Sequence, residues 1–270
     1  MKGFAPYGET RAQKTAILLT RIAKTLFVDD CNCILCGAEL DEKKRSGLCG
    51  KCLAQLPLND GEICRKCGRV LANEADYCNT CQNRDRHFTV ARSVCVYEGE
   101  SVRLVRGLKF GNKRYFAGYM ANLMTDKYLD EKFDCDCVIA VPLSEKRKRK
   151  RGYNQADLIA REISRSLKLD YLDKVVVKIR DNEEQAKLGT LSREENVRGA
   201  YKVADRQAVE GRRVLLVDDV LTTGATASEI AGILFKAKAK SVSVLTFAST
   251  KYKVASETKD GEEDHEDEMV

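Results

Sequence analysis

A parallel-sheet α/β domain preceded by a small cysteine-rich module is the architecture that this 270-residue sequence predicts. Three observations predict it. Most of the twelve cysteines fall in closely spaced pairs before residue 82. From about His87 onward, short β-rich runs alternate with stretches of helical period. The composition, 43% hydrophobic and 33% charged with only three prolines, suits a folded chain rather than a disordered one. The length holds one ordinary domain of roughly 150 to 200 residues plus something smaller, which excludes both a peptide hormone and a large multidomain machine.

The cysteine pairs are Cys33 and Cys36, Cys49 and Cys52, Cys64 and Cys67, and Cys78 and Cys81. A Cys-x-x-Cys turn sets two thiolates on one side of a tight knuckle, about 2.3 Å from a shared ion, and two knuckles complete a tetrahedral sulfur shell for zinc. The pairs form an internal repeat. Cys33-Ile34-Leu35-Cys36-Gly37 with Leu40 aligns with Cys64-Arg65-Lys66-Cys67-Gly68 with Leu71, and each unit is followed by a second knuckle. Two sequential zinc ribbons follow, because one repeat already contains four ligands; a cross-braced pairing of first with third knuckle satisfies the same spacing. A redox dithiol is the competing reading of a single pair, and four pairs without a thioredoxin-like strand and helix count against it. All-cysteine shells leave no open coordination position, so both zinc ions are expected to be structural, and so small a segment is expected to need them to hold its shape. Cys31 reads as a spare thiol; Cys95, Cys135 and Cys137 lie in apolar, strand-like contexts and read as core.

No stretch approaches the roughly 18 apolar residues of a membrane span. The best N-terminal run, Ala16 to Val28, is broken by Arg21 and Lys24, which also spoils it as a secretory signal. A cytoplasmic setting with reduced thiols is the simplest expectation. The domain map is a 1–30 segment with an amphipathic helix (Ile17, Leu18, Ile22, Leu26 and Phe27 on one face), a 31–86 double zinc ribbon, an 87–250 α/β domain and a 251–270 disordered acidic tail. From Ala255 onward eight acids face Lys259 alone, a net −7, so of the chain's +6 the first 254 residues carry +13. A basic body invites polyanions, either nucleic acid or phosphorylated metabolites, whereas such a tail is ordinarily a solvated end.

Within the α/β region the predicted strands are Arg92 to Tyr97, Cys137 to Val141, Val175 to Ile179, Val214 to Val217 and Val242 to Phe247, continuous apolar runs suited to a parallel sheet covered on both faces. Ala117, Met120, Ala121 and Met124 mark one helix; Ala156, Ile159, Ala160, Ile163 and Leu167 a second; Ala227, Ile230, Ala231 and Leu234 a third. A ligand is expected at the carboxyl ends of the strands. There lies the most specific run of the chain, Arg213-Val214-Leu215-Leu216-Val217-Asp218-Asp219-Val220-Leu221-Thr222-Thr223-Gly224-Ala225-Thr226. A buried strand delivers two carboxylates to its exit, and a hydroxyl-rich turn opens a helix. Backbone amides at that helix N-terminus, the positive end of its dipole and three threonine hydroxyls suit a phosphate monoester, and Gly224 permits close approach. The carboxylates can accept hydrogen bonds from vicinal sugar hydroxyls, giving a ribose 5-phosphate site. A nucleoside-triphosphatase loop is absent, and an acidic pair with an N-capping threonine is the structural alternative, against which the helix-terminal phosphate logic weighs.

This run resembles the phosphoribosyl pyrophosphate (PRPP) motif of type I phosphoribosyltransferases, which implies ribose contacts from Asp218 and Asp219 and a 5′-phosphate held by Thr222, Thr223, Gly224, Ala225 and Thr226. Together with the cysteine knuckles, Gly107-Leu108-Lys109-Phe110-Gly111, Val141-Pro142-Leu143 and Arg151-Gly152-Tyr153-Asn154-Gln155-Ala156, it makes the chain resemble the competence protein F (ComF) family from about Leu26 to Ser249. The resemblance implies a double zinc ribbon before a type I phosphoribosyltransferase-like domain. It also implies a pyrophosphate loop from Ser144 to Asn154, with Ser144, Arg151, Gly152, Asn154 and Lys109 at the ligand. The six consecutive cations Lys146 to Arg151 read equally as a solvated loop and as a cradle for diphosphate or nucleic-acid phosphates.

Arg180 to Tyr201 resembles the family's hairpin over the site, with Gln185, Leu188, Arg193, Asn196 and Gly199-Ala200-Tyr201 in register. Asn182 stands where the hairpin commonly has threonine, and Lys238 where a glycine commonly ends the helix after the motif. For chemistry, Asp218, Asp219 and Arg151 would stabilise charge on the sugar and on a magnesium-bound diphosphate leaving group without a protein nucleophile. The acceptor is unreadable; the apolar hood segment Arg92 to Tyr97 names no base. Two functions follow as expectations: a PRPP-binding protein acting as a phosphoribosyltransferase on an unknown acceptor, or a non-enzymatic protein handling single-stranded DNA. The family resemblance implies the latter in natural transformation, beside a helicase partner. The aromatic content, 7%, offers no visible base-stacking strand.

Overall fold

The computed structural model describes residues 32–40, 47–71, 73–180 and 197–251. The expected N-terminal helix, Cys31, the hairpin positions Asn182, Gln185, Leu188, Arg193 and Asn196, and the acidic tail beyond Lys251 lie outside the described residues. The chain divides into two compact units, Met1–Leu53 and Ala54–Val270. The second knuckle pair therefore groups with the α/β sheet and not with the first pair.

In the first unit the knuckle at Cys33 closes through Gly37 N–H to Cys33 O at 2.8 Å and Cys33 N–H to Ala38 O at 2.7 Å. Helix α1 (Gly50–Ala54) carries Cys52 inward. In the second unit the same turn recurs, with Gly68 N–H to Cys64 O at 2.8 Å and Cys64 N–H to Arg69 O at 2.9 Å, and helix α2 (Asn79–Asn83) follows Cys78.

The sheet contains β1 (Val90–Val96), β2 (Cys137–Ala140), β3 (Asp170–Tyr171), β6 (Arg213–Leu221) and β7 (Ser241–Ser249), all pairs parallel, in the order β1-β7-β6-β2-β3. Central β6 has neighbours on both sides, and Val214 to Val217 are fully buried, which is why its sequence reads as an unbroken apolar run. Helix α4 (Phe116–Asp130) packs on β1 and β7 and against α6 (Gln155–Leu167), which covers β2, β3 and β6. Alternate residues point to the opposite face. There Val214 and Leu216 of β6 and Val242 and Val244 of β7 meet Ile230, Ala231 and Leu234 of α7 (Ala225–Lys236) together with Cys64, Cys67 and Cys78. Each such fully buried aliphatic side chain contributes roughly 1.5–3 kcal/mol.

The three helices expected from periodicity form, with their marked residues buried, apart from the half-buried Leu167 at the end of α6. Four departures have physical reasons. Val175 to Ile179 does not join the main sheet: β4 (Val176–Lys178) pairs antiparallel with β5 (Tyr201–Val203) in a hairpin, because an apolar run does not specify its partner. The fifth sheet strand is instead the two-residue β3, too short to leave a pattern. The expected cationic loop is a helix, α5 (Glu145–Arg151), capped by Ser144 accepting from Arg147 N–H at 3.3 Å. Its cations crowd the C-terminal end, where the dipole favours them. Helix α3 (Gly99–Phe110), not among the expected helices, buries Leu104, Val105 and Leu108 on one face and is started by a reciprocal capping box between Glu98 and Ser101.

The helix after the PRPP-like motif ends as a Schellman turn, with Ala239 N–H to Leu234 O at 3.0 Å and Lys238 N–H to Phe235 O at 2.9 Å. Lys238 occupies its left-handed position at φ +66°, so the turn forms without glycine, and its ammonium pairs with Glu210 at 2.9 Å. Cys95, Cys135 and Cys137 are core residues; burial pushes the Cys95 and Cys135 thiols up to about 12 and Cys137 to about 11. None of the described helices is long and apolar enough to cross a membrane.

Candidate functional site

Parallel pairing brings the site together. Ala140 sits beside Val217, and Asp218 beside Thr246, so the segment after β2 and the turn after β6 leave the sheet at the same end. Asp219 is 3% exposed, and its Oδ2 atom has no hydrogen-bond partner among the described residues. A buried carboxylate oxygen without a donor is costly, and a ligand hydroxyl would satisfy it. Lys109, at the end of α3, reaches Asp219 Oδ1 at 3.5 Å. Burial disfavours its charge, but Asp219 and then Asp218 outweigh that and hold its pKa above the usual lysine value. Asp218 accepts from Asp219 N–H at 2.9 Å. Burial first, then the Asp219 charge, push its carboxyl above the carboxylate range, against the pull of that N–H and of Lys109.

The turn Thr222-Thr223-Gly224 leads directly into α7. Gly224 has φ +76° and caps the helix with no side-chain bond, and Ala225 N–H reaches Thr223 Oγ1 at 3.3 Å. For Tyr201, from the hairpin, burial and then the Asp218 charge push the phenol up to about 12, with the Thr226 side chain pulling the other way.

On the neighbouring strand exit, Ser144 and Asn154 turn inward. Ser144 is 3% exposed and caps α5. Asn154 donates from Nδ2 to Val141 O at 2.9 Å and accepts from Ala156 N–H at 3.1 Å. Both shape the connection between β2 and α6. Arg151 lies over the Phe110 ring at 4.9 Å and donates to Gln155 Oε1 at 3.3 Å. Gly152 ends α5 with left-handed backbone.

Three groups that sequence reasoning missed hold the phosphate-type turn from behind. Arg69 Nη1 donates to Thr222 O at 3.4 Å and Arg86 Nη2 to Thr223 O at 2.8 Å. Thr250 donates from Oγ1 to Thr222 O at 3.3 Å and from N–H to Leu221 O at 3.1 Å. The one available signal was the repeat itself: Arg69 stands where the first unit has Ala38.

The metal-type clusters are sequential. Sγ atoms of Cys33, Cys36, Cys49 and Cys52 lie within 4.8 Å of one another, and so do those of Cys64, Cys67, Cys78 and Cys81. This excludes cross-bracing, and a closed four-thiol set fits structural zinc.

Residues 23–82 match the double zinc ribbon domain family and residues 149–267 the phosphoribosyl transferase domain family. Competence protein F of Haemophilus influenzae is 31% identical over 218 residues, spanning 78% of this chain and 94% of that protein. DNA utilization protein YhgH of Escherichia coli K12 is 28% identical, spanning 76% and 91%, and competence protein ComFC of Bacillus subtilis is 27% identical, spanning 79% and 93%. Among solved structures, the purine phosphoribosyltransferase of Pyrococcus horikoshii is 18% identical at a TM-score of 0.32, covering 50% of this chain and 75% of that one. With its double zinc ribbon, its phosphoribosyltransferase-type sheet and this match over most of its length, the chain belongs to the competence protein F family.

Proposed function

We propose that this chain is a DNA-utilization protein of the ComF type that binds PRPP or a related phosphoribosyl ligand at the carboxyl end of β6. One observation carries the reading: the buried Asp219 Oδ2, which no described residue partners, beside the Thr222-Thr223-Gly224 turn that opens α7. In this reading Asp218 and Asp219 hold the ribose hydroxyls, and Thr222 to Thr226 hold the 5′-phosphate. Arg151 and Lys109 face the diphosphate, with magnesium neutralising it. Transfer would break the bond between the anomeric carbon and the diphosphate oxygen and form one to an acceptor. The described site offers no protein nucleophile, so the residues' contribution is orientation and charge stabilisation.

Calorimetric titration of PRPP with magnesium into the zinc-loaded protein tests this. Micromolar binding is expected, lost in a folded Asp218→Asn, Asp219→Asn variant; a well-folded wild type that does not bind would refute it. A second reading, non-enzymatic binding of single-stranded DNA, is supported by α5, whose six cations are consecutive and mostly exposed. Replacing Lys146 to Lys150 by glutamine would then weaken strand binding and flatten its salt dependence.

A further inference from the structure

The second ribbon is built into the edge of the sheet. Ala91 N–H donates to Lys66 O at 2.8 Å, Asn59 N–H to Val94 O at 2.8 Å, and Asn59 Nδ2 to Gly68 O at 2.7 Å. From this base Arg69, 7% exposed, extends between two groups. Its Nη2 lies 3.6 Å from Sγ of the zinc-type ligand Cys78, and its Nη1 reaches Thr222 O. Arg86, 8% exposed, holds the next carbonyl. His87 then fastens the helix behind the turn, its N–H donating to Ser228 Oγ at 3.1 Å.

Peptide geometry gives these contacts a direction. All the described peptides are trans, so each C=O points opposite to the N–H of the next residue. Holding the carbonyls of Thr222 and Thr223 toward the ribbon turns the N–H groups of Thr223 and Gly224 away from it. Those are backbone donors of the turn to which the 5′-phosphate is assigned above.

We propose that Arg69 is a positioning residue that links the second four-cysteine site to the phosphate turn, so that zinc at Cys64, Cys67, Cys78 and Cys81 and a phosphate ligand at Thr222 to Thr226 strengthen each other's binding. The ligand half rests on the proposed function. Zinc fixes the Cys78 sulfur; the sulfur and the ribbon backbone fix the guanidinium; the guanidinium fixes the Thr222 carbonyl. Linkage is reciprocal, so the ligand must also retain the metal. The first zinc site belongs to the other compact unit and serves as the internal reference.

Two measurements on the full zinc-loaded chain test this. In hydrogen exchange, Arg69→Met is expected to speed exchange of the Ala225 and Thr250 amides, which are held by Thr223 Oγ1 and Leu221 O, at least about five-fold, with the centre of β6 still protected and Arg69→Lys intermediate. Arg86→Met, which removes the Thr223 contact, gives the same direction if Arg69→Met does not fold. Unchanged exchange in a folded variant overturns the clamp whether or not PRPP binds. In chelator competition, zinc leaves in two phases, and Cys81→Ser identifies the one from the second site. PRPP with magnesium is expected to slow that phase about five-fold in wild type, not in Arg69→Met, and to leave the first-site phase alone. PRPP binding without that slowing overturns the linkage. Absence of PRPP binding overturns the phosphoribosyl reading and with it the ligand half of the linkage, while the exchange result stands by itself.

Discussion

The two zinc ribbons are written in the same motif and serve different structural ends. Gly37 and Gly68 occupy equivalent positions with nearly the same left-handed backbone, φ +75° and +68°. Yet a Cβ at Gly37 would meet none of the described residues within 4 Å, while one at Gly68 would lie 2.5 Å from Ala91 O. In the first cluster Cys36 is exposed and Cys49 half-buried; in the second Cys64, Cys67 and Cys78 are buried in the core of the α/β unit. The knuckle motif thus fixes a local turn and a metal shell. Whether that turn becomes part of a larger core is decided by its flanks, here Asn59, Arg69 and Arg86.

The largest separation is expected from the metal. Cys64→Ser should destabilise the α/β unit by on the order of 4 kcal/mol, lowering its thermal midpoint by about 10 °C. Cys33→Ser should move that midpoint by no more than about 2 °C. Scanning calorimetry of both variants decides it, and equal shifts would erase the distinction between the ribbons. The glycine pair sharpens the same contrast at smaller amplitude. Gly37→Ala is expected to cost about 1 kcal/mol of left-handed strain, and Gly68→Ala about 3 kcal/mol once the overpacking against Ala91 is added. Denaturant unfolding would show the difference, and matched losses would mean that the second ribbon yields freely.

The smallest effect lies on the pH axis, where the α/β unit carries a signature from its acidic pair. The folded pKa of Asp218 is raised, so its contribution is full below the unfolded value of about 3.9 and is lost as pH rises toward the folded one. Asp218→Asn should therefore stabilise the ligand-free protein by about 1 kcal/mol at pH 8, with the gain fading toward pH 4. A gain of the same size at both pH values would assign it to packing instead of charge.

What the sequence shows and hides follows the range of the interactions. The sulfur ligands and Asp218 to Thr226 are legible because each chemistry is local: four residues for a knuckle, nine for a strand exit and a helix start. Helices α4, α6 and α7 are legible because one face of each is buried. Helix α5 is not, because capping by Ser144 outweighs a charge run that reads as a loop. The partner of β4 is not, because hydrophobic runs carry no address. Arg69 and Arg86 act on carbonyls 153 and 137 residues away, and no periodicity reports such a distance.

Strand β1 lies at one edge of the sheet, with β7 on one side and the second ribbon along the other, where Leu58 bridges Cys95. The ribbon emerges from the ribosome before β1, whereas its sheet partner β7 is the last of the described strands to be made, later by on the order of ten seconds at ordinary rates of synthesis. For that interval a bare β1 would offer two unpaired edges to neighbouring nascent chains. A ribbon already set by its metal shields one of them. Zinc supply at the moment of translation therefore bears on how much chain reaches the native fold, separately from anything the ion does for the finished protein.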